Sequence, residues 1–327
     1  MNQLVSLQVA SDLIRSGAAL SIAGPDAALR ALPPGQWIGG SIPYFMVADG
    51  GTVANDQQVF VTELSPLGTV TIASYGADGL AAIAGNAPDN GVSLTVIPGG
   101  SAAHQRFAAE AASYDDAFVK PTVGWIAGCR VEDIGHVKPT VYDGRTATRH
   151  EDRAVVAYIA LPADKLACID IVNLFEPDDG DVLRFDETSF EVGSCRVNGE
   201  TVDFAAYLRS RGLEHGRLPL VGDFAGARIN ASLQSVPAAG GRVQLYAPVF
   251  PGVDYRVARP IDDYAAAFRA QLAAQDHAGA VLACNCVLNF LFGELEGKAI
   301  GGVEGPATFG EIAYQLLNQT MVVLRVV

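Results

Sequence analysis

The sequence predicts an α/β fold in which helices pack in layers on mixed β-sheets. Short apolar runs rich in β-branched residues alternate along the chain with alanine-rich segments of helical character. Of the 327 residues, 50% are apolar and 18% are charged, which is enough to bury a sizeable core and excludes a disordered chain. The length suits two domains of ordinary size or one large domain.

Strands are predicted where a short apolar run is bounded by turn-forming residues. These runs are Leu20–Ala23, Gln58–Thr62, Val70–Ser74, Ser93–Ile97, Val123–Ala127, Val155–Ala160, Ala167–Val172, Arg242–Tyr246, Ala280–Cys284 and Thr320–Val326. Helices are predicted over Leu4–Arg15, Ala27–Leu32, Ala102–Ala112, Ala205–Arg211 and Asp262–Gln275. The last helix is the clearest, because Pro260 precedes it, two aspartates open it and apolar residues recur every fourth position.

The domain boundary is predicted near residue 150. Arg145–Arg153 is polar and of mixed charge, as suits an exposed connection, and an acidic, turn-rich stretch, Phe175–Gly199, lies beyond it. We therefore expect one domain over residues 1–150 and a second over residues 151–327.

A faint internal echo suggests two related halves. Leu20–Gly24 is followed by a short helical segment and then Ile38–Gly40, and Val281–Cys284 is followed by another such segment and then Ile300–Gly302. Both series run strand, short helix and Ile-Gly-Gly at nearly equal spacing. If the echo is a true repeat, the two halves face each other and the cleft between them is a natural pocket.

The chain is strongly acidic. It has 22 Lys and Arg against 36 Asp and Glu, a formal net charge of −14. No basic stripe is visible, which argues against nucleic-acid binding, and the same acidity disfavours an anionic membrane surface. Such an acidic surface suits a basic patch on a partner protein.

The cysteines and the amino-terminal segment indicate a cytoplasmic protein. The five cysteines are odd in number and scattered, so reduced thiols are expected rather than a disulfide scaffold. The first residues lack the basic region of a signal peptide, and no apolar stretch reaches the ~18 residues that span a membrane. The apolar content leaves room for an oligomer interface.

Two groups of residues that contain cysteine have alternative interpretations. On a strand, Cys284 and Cys286 point to one face, where they form a redox pair, half a metal site or a haem ligand, or simply fill the core. Cys129, with His136 seven residues on, is either a nucleophile with its base or a structural thiol at a strand end. The structural interpretation is favoured for both groups.

The turn Pro98-Gly-Gly-Ser101 leads from a predicted strand into a predicted helix that contains His104. Such a turn holds an anion at the helix N-terminus in some proteins, but it lacks the residues of a P-loop, and an ordinary N-cap by Ser101 is favoured.

Thr308 and Glu311 have the spacing of a capping box, which predicts a helix through the following residues. Alternatively, Glu311 points into a pocket beside Asn318 and Thr320. In that case the Glu311 carboxylate binds a cationic amine of the ligand, and the Asn318 amide binds a carboxylate of the ligand.

The C-terminal region resembles the FIST domain family. The elements that carry the resemblance are Gly305–Ile312 with its Gly-Glu pair, Asn318–Met321, Cys284 with Gly293, Tyr246–Gly252 and, near the N-terminus, Trp37–Ser41. The resemblance extends over most of the chain and is dense only over residues 280–327. It identifies the two predicted domains as FIST N-like and FIST C-like.

The resemblance implies a small-ligand sensory protein that binds a molecule such as an amino acid. Without an output segment of its own, the chain would signal through a partner protein. The ligand-binding residues it implies, taken with side-chain chemistry, are Ser41, Cys284, Asn285, Glu311, Asn318 and Thr320. A haem-binding nitric-oxide sensor of the same family, with His104, His277 or Cys284 as iron ligand, and a thiol-dependent hydrolase or transferase using Cys129 or Cys284 stay open as alternatives. The absence of a complete catalytic motif favours a protein that is not an enzyme.

Overall fold

Three sheets of the protein repeat one strand-pairing plan. The structure is a computed structural model that describes residues 1–275 and 277–327. In each of the three sheets an edge strand pairs antiparallel with a second strand, and the second pairs antiparallel with a third. The third strand runs parallel to a fourth, and an antiparallel hairpin completes the six strands. The mixed α and β layers predicted from the sequence are confirmed.

The first unit supplies four strands of the first sheet and the helices beside it. Its elements are β1 (Asn2–Ser6), α1 (Leu7–Arg15), β2 (Leu20–Gly24), α2 (Asp26–Arg30), β3 (Trp37–Ser41), β4 (Tyr44–Val47), β5 (Gly50–Val53) and β6 (Gln58–Glu63). The predicted first helix begins at Leu7 rather than Leu4, because residues 2–6 pair with β6 as an edge strand and Ser6 caps the helix by accepting from the Val9 N–H.

The second unit repeats this order. Its elements are β7 (Thr69–Gly76), α3 (Ala82–Gly85), β8 (Gly91–Pro98), α4 (Ala102–Glu110), β9 (Thr122–Ala127), β10 (Val141–Asp143), β11 (Thr148–His150) and β12 (Arg153–Ala160). Its parallel strands β8 and β9 are buried along their whole length, as are β2 and β3. Strands buried on both faces are continuous apolar runs, and this is why the sequence revealed most of them.

The third unit opens with β13 (Ala167–Asn173) and is then interrupted by an insertion, residues 174–263. The insertion forms a six-stranded and a three-stranded antiparallel sheet around its own hydrophobic core. Its elements are β14 (Leu183–Arg184), β15 (Ser189–Val192), β16 (Ser194–Val197), β17 (Glu200–Asp203), α5 (Phe204–Ser210), β18 (Leu220–Phe224), β19 (Ala227–Ala231), β20 (Leu233–Ser235), β21 (Val243–Val249) and β22 (Asp254–Val257).

After the insertion the third unit resumes the common order. Its remaining elements are α6 (Tyr264–Ala273), β23 (Ala280–Cys286), α7 (Val287–Phe292), β24 (Gly305–Thr308), β25 (Glu311–Ala313), β26 (Gln315–Leu317) and β27 (Thr320–Val326). The capping-box prediction for Thr308 and Glu311 is wrong. Glu311 opens a strand that pairs with β9, and this tertiary pairing overrides the local helix signal.

The three units exchange their hairpins in a closed cycle. The hairpin β4–β5 of the first unit pairs with β24 of the third, β10–β11 of the second pairs with β3 of the first, and β25–β26 of the third pairs with β9 of the second. Each unit therefore donates one hairpin and receives another, and each sheet is complete only when two units combine.

One hydrophobic core lies where the three sheets meet. It contains Ile38 of the first sheet, Val96 and Trp125 of the second, and Cys284 and Val323 of the third. Smaller clusters fill the space between the first sheet and α1 and α2, and between the second sheet and α4.

The echo in the sequence corresponds to a structural recurrence that extends to a third unit. The strand–helix–strand segments β2–α2–β3 and β23–α7–β24 both enclose a parallel strand pair, and β8–α4–β9 is a further copy. Ile300–Gly302 lies ahead of β24 rather than within it, so the two Ile-Gly-Gly tripeptides are not equivalent. The division of the chain at residue 150 stays a prediction, and two of the three units' sheets draw strands from both sides of that position.

Candidate functional site

Glu311 is the centre of a buried polar network. Its Oε2 accepts hydrogen bonds from the Thr320 hydroxyl at 2.8 Å and the Thr320 backbone N–H at 3.2 Å, and its Oε1 lies 3.5 Å from the Thr308 hydroxyl. Burial raises the pKa of Glu311 to about 8, although the bonds from Thr320 and the Cys286 thiol act in the opposite direction. At neutral pH the carboxyl group is therefore mostly protonated.

Buried amides extend this network. The Asn285 Oδ1 accepts from the Asn289 Nδ2 at 2.9 Å, and the same Nδ2 also donates to the Thr320 carbonyl at 3.1 Å. The Tyr264 hydroxyl donates to the Asn289 Oδ1. Within residues 1–275 and 277–327, the Asn285 Nδ2 and the Asn318 Oδ1 are buried without a hydrogen-bond partner. Two amide groups thus keep unused capacity inside the core.

Five of the six predicted ligand residues lie in or beside this network. Asn285, Glu311 and Thr320 are hydrogen-bonded members. Burial, and then the proximity of Glu311, raises the pKa of the Cys284 thiol well above its usual value. The Asn318 amide packs against Gly310, the residue before Glu311. Their predicted ligand-binding role stays a prediction.

Ser41 lies apart from the other five. Its hydroxyl donates to the Gly128 carbonyl at 2.7 Å and accepts from the Thr140 N–H at 2.9 Å. These bonds tie the end of β3 to the loop after β9 and to the donated hairpin. The hydroxyl of Ser41 is thus used in joining two units, and the predicted ligand-binding role of this residue stays a prediction.

A cleft of about 1310 Å³ opens at the carboxyl ends of β8 and β9. The turn Gly99–Ser101 and the first turn of α4 form one side, and residues 134–139 of the loop after β9 form another. Residues of β15, β20 and β21, all from the insertion, form the opposite wall. Because the insertion interrupts the third unit only, this wall has no counterpart in the other two units.

Tyr246 and Phe309 lie between the cleft and the buried network. Both side chains line the cleft and are partly buried against the central core. Burial, with the Cys286 and Cys129 thiols nearby, raises the pKa of Tyr246 to about 12. The network and the cleft are therefore separated by these side chains and not by a full layer of the fold.

Each Lys or Arg side chain that lines the cleft lies near a carboxylate of the same chain. Arg149 lies 2.6 Å from Glu151, and Lys138 lies 3.4 Å from the same carboxylate. Arg242 donates to the Glu191 carbonyl at 2.6 Å. The cleft thus offers few charges that are free for a ligand.

The thiols are not activated as nucleophiles. Burial, and then the charges of Asp133 and Glu132, raises the pKa of Cys129 to about 11. Burial likewise raises the pKa of Cys286 well above its usual value. The thiolate is the reactive form, and it is scarce at neutral pH for these residues. In the described part of the chain, no group of three or more His, Cys, Asp and Glu side chains could hold a metal ion.

The turn before α4 has the predicted N-cap. Ser101 accepts from the His104 backbone N–H at 3.1 Å, and the His104 Nδ1 accepts from the Gly100 N–H at 3.1 Å. Because Nδ1 is an acceptor, the single proton of the neutral imidazole lies on Nε2.

Comparison with known families covers nearly the whole chain. A family model matches residues 5–327, and it describes a family of unknown function, DUF6976. The chain belongs to the DUF6976 family. Searches of curated proteins and of solved structures each found no match. In residues 1–275 and 277–327, no helix has the length and apolarity needed to cross a membrane.

Several residues of this DUF6976 site were missed by sequence reasoning. Asn289 and Tyr264 complete the buried network, and Arg242 and Phe190 line the cleft. An amide inside the otherwise apolar helix Val287–Phe292 was the signal that could have revealed Asn289. The cleft residues of the insertion carried no such signal, because only the fold brings them to β8 and β9.

Proposed function

We propose that this DUF6976 protein binds a small molecule in the cleft and acts as a sensory protein that signals through a partner protein. The observation that carries the proposal is the position of the cleft at the carboxyl ends of the parallel strands β8 and β9. Ligands of α/β sheets bind at such ends, where the chain leaves neighbouring strands for a helix and a loop. The cleft has room for a metabolite, and the insertion forms one of its walls.

The FIST resemblance supports the sensory part of the proposal. It suggests an amino-acid-like ligand, a cytoplasmic location and a partner protein that receives the signal. The acidic surface suits a basic patch on that partner.

The alternatives have weaker support. A thiol enzyme requires a thiolate at neutral pH, and burial raises the pKa of Cys129 and Cys284. Iron ligation by His104 through Nδ1 requires the loss of the hydrogen bond that this nitrogen accepts from the Gly100 N–H.

Native mass spectrometry of the protein purified without added cofactor, with an absorption spectrum, tests the proposal. We expect a colourless protein that carries an extra mass of metabolite size, or that gains one from a panel of amino acids. A Soret band would instead support the haem sensor.

A matched pair of variants locates the site. Ala109 is exposed in the cleft, whereas Ala270 is exposed on α6 outside it. Ala109→Trp places an indole ring in the cleft and should reduce the extra mass, and Ala270→Trp should leave it unchanged. Equal binding by both variants would refute the cleft as the site.

A further inference from the structure

We propose that the ligand carries a carboxylate group and that the cleft binds this group at the N-terminus of α4, through the backbone N–H of Ala102 and the His104 Nε2–H. The proposal rests on the proposed function and specifies the chemistry of its ligand.

The first observation is the open N-terminus of α4. The helix has nine residues, no acidic residue in its first turn, and its Ser101 cap bonds only the His104 N–H. In the described chain, no acceptor faces the Ala102 and Ala103 N–H groups. Unpaired N–H groups at a helix N-terminus favour a bound anion.

The corresponding helix of the first unit has such an anion built in. Asp26 opens α2, and its carboxylate accepts from the hydroxyls of Thr140 at 2.6 Å and Tyr142 at 2.7 Å. Both donors belong to the hairpin segment that the second unit donates. The N-terminus of α4 has no such internal carboxylate and faces the cleft instead.

The second, independent observation is the unpaired imidazole of His104. The side chain is 8% exposed and lines the cleft, and its Nε2 has no partner in residues 1–275 and 277–327. The Nδ1 accepts a hydrogen bond from the Gly100 N–H, so Nε2 is the donor of the neutral ring. The Phe190 ring of the opposite wall contacts the imidazole edge-on. A buried donor without an acceptor is costly, and a ligand oxygen removes that cost.

The donor set favours a carboxylate over a phosphate. One backbone amide and a neutral imidazole supply two hydrogen bonds without a formal charge. The nearby cations Arg149 and Lys138 are already paired with Glu151. A monoanion with two oxygens matches these two donors, whereas the second charge of a dianion is best balanced by a guanidinium or ammonium group.

Titration with minimal probes tests the inference in the full-length protein. We expect sodium acetate to shift the Ala102 amide resonance and the His104 Nε2 resonance, saturably and together. Acetamide, a neutral molecule of the same shape, should leave these resonances unchanged. Saturable shifts from inorganic phosphate without shifts from acetate would overturn the carboxylate assignment.

One backbone substitution removes a donor without disturbing the helix. Proline is favoured at the first helical position, and Ser101 already has the extended conformation that a following proline requires. Ala102→Pro should therefore fold and weaken acetate binding at least fivefold, whereas Ala102→Ser keeps the N–H and should bind as the parent does. Equal acetate binding by both variants would contradict the inference.

His104→Phe is a second test, because it keeps a ring against Phe190 and removes the Nε2 donor. We expect it to lose acetate binding in the same assay. If the Ala109→Trp pair confirms the cleft while acetate causes no shift, the carboxylate inference fails and the proposed function stands. If neither experiment detects binding, both fail.

Discussion

The buried carboxyl of Glu311 makes stability depend on pH in a defined direction. Its pKa is raised to about 8 in the folded protein from 4.5 in an unfolded chain. The unfolded state therefore releases this proton at a lower pH than the folded state. Burial of Glu311 therefore does not lower the free energy of unfolding below pH 4.5, and it lowers this free energy increasingly as the pH rises towards 8.

Glu311→Gln should remove this dependence while keeping an oxygen for the Thr320 donors. We expect the free energy of unfolding of the parent to fall by a few kcal/mol more than that of the variant between pH 5 and pH 8. Urea titrations at both values measure the difference.

The exposed Glu294 provides the control, since Glu294→Gln should follow the parent at both pH values. Parallel pH profiles for the parent and Glu311→Gln would show that Glu311 is ionised in the folded state.

Asp26 makes stability depend on pH in the opposite direction. Although burial raises its pKa, the bonds from Thr140, Tyr142, Arg149 and Arg30 together lower it to about 2. The resulting stabilisation is present above the unfolded value of 3.8 and is lost as the pH falls through 2. Asp26→Asn should lower the free energy of unfolding by about 2 kcal/mol at pH 7, with a smaller difference at pH 2.5. Denaturant titration checks both values, and a constant difference would contradict the assignment.

At the residue scale, side-chain chemistry predicted part of the network and missed the rest. Glu311 lies beside Thr320 as expected. A buried carboxyl group needs hydrogen-bond donors, and the Thr320 hydroxyl and N–H supply them. The bonds of Ser41 to Gly128 and Thr140 could not be predicted, because they depend on the pairing of segments that are distant in the sequence.

At the scale of elements, the sequence revealed buried strands and missed exchanged hairpins. Strands such as β8 are continuous apolar runs whose character does not depend on their partners. The hairpin β10–β11 is short and polar, and it pairs with β3 about a hundred residues earlier in the chain. The pairing that makes it a strand is non-local, so no local pattern could predict it.

The contact between the first and second sheets depends on Gly40 in β3. A Cβ at this position would lie 2.6 Å from the Trp125 ring and 2.7 Å from the Val96 methyl group. We therefore expect Gly40→Ala to lower the free energy of unfolding by about 1–3 kcal/mol, because both neighbours belong to the packed core.

Gly85 at the end of α3 is the matched control. A Cβ there meets nothing within 4 Å, and its φ is not left-handed. Gly85→Ala should leave stability unchanged or raise it by up to about 1 kcal/mol. Chemical denaturation compares the two, and equal stability of both variants would show that the sheets can separate to admit a methyl group.

At the scale of the whole molecule, hairpin exchange joins the units into one cooperative structure. The fragment 1–150 lacks β12, which pairs with both β7 and β8, and it lacks β24, the partner of β4. The fragment 151–327 lacks β9, the partner of β25. We expect neither fragment to fold alone, and two-dimensional amide NMR spectra measure this through signal dispersion.

Co-expression of the two fragments is the control, since the missing strands are then present and dispersion should return. A dispersed spectrum from the fragment 1–150 alone would instead support the domain boundary predicted from the sequence. Composition predicted a large core, but it carried no information on the threefold plan, because that plan lies in pairings and not in residue content.

The closed hairpin cycle has a consequence for self-association. When separate molecules exchange hairpins, the exchange either closes into a ring or continues into an open-ended polymer. In this chain, the three strands that receive the hairpins lie on the same polypeptide as the hairpins. The effective concentration of each hairpin at its receiving strand is therefore higher than a second molecule in solution reaches. Within the described residues, each of the three exchanged hairpins is therefore paired inside its own chain, in the geometry that domain swapping uses between molecules.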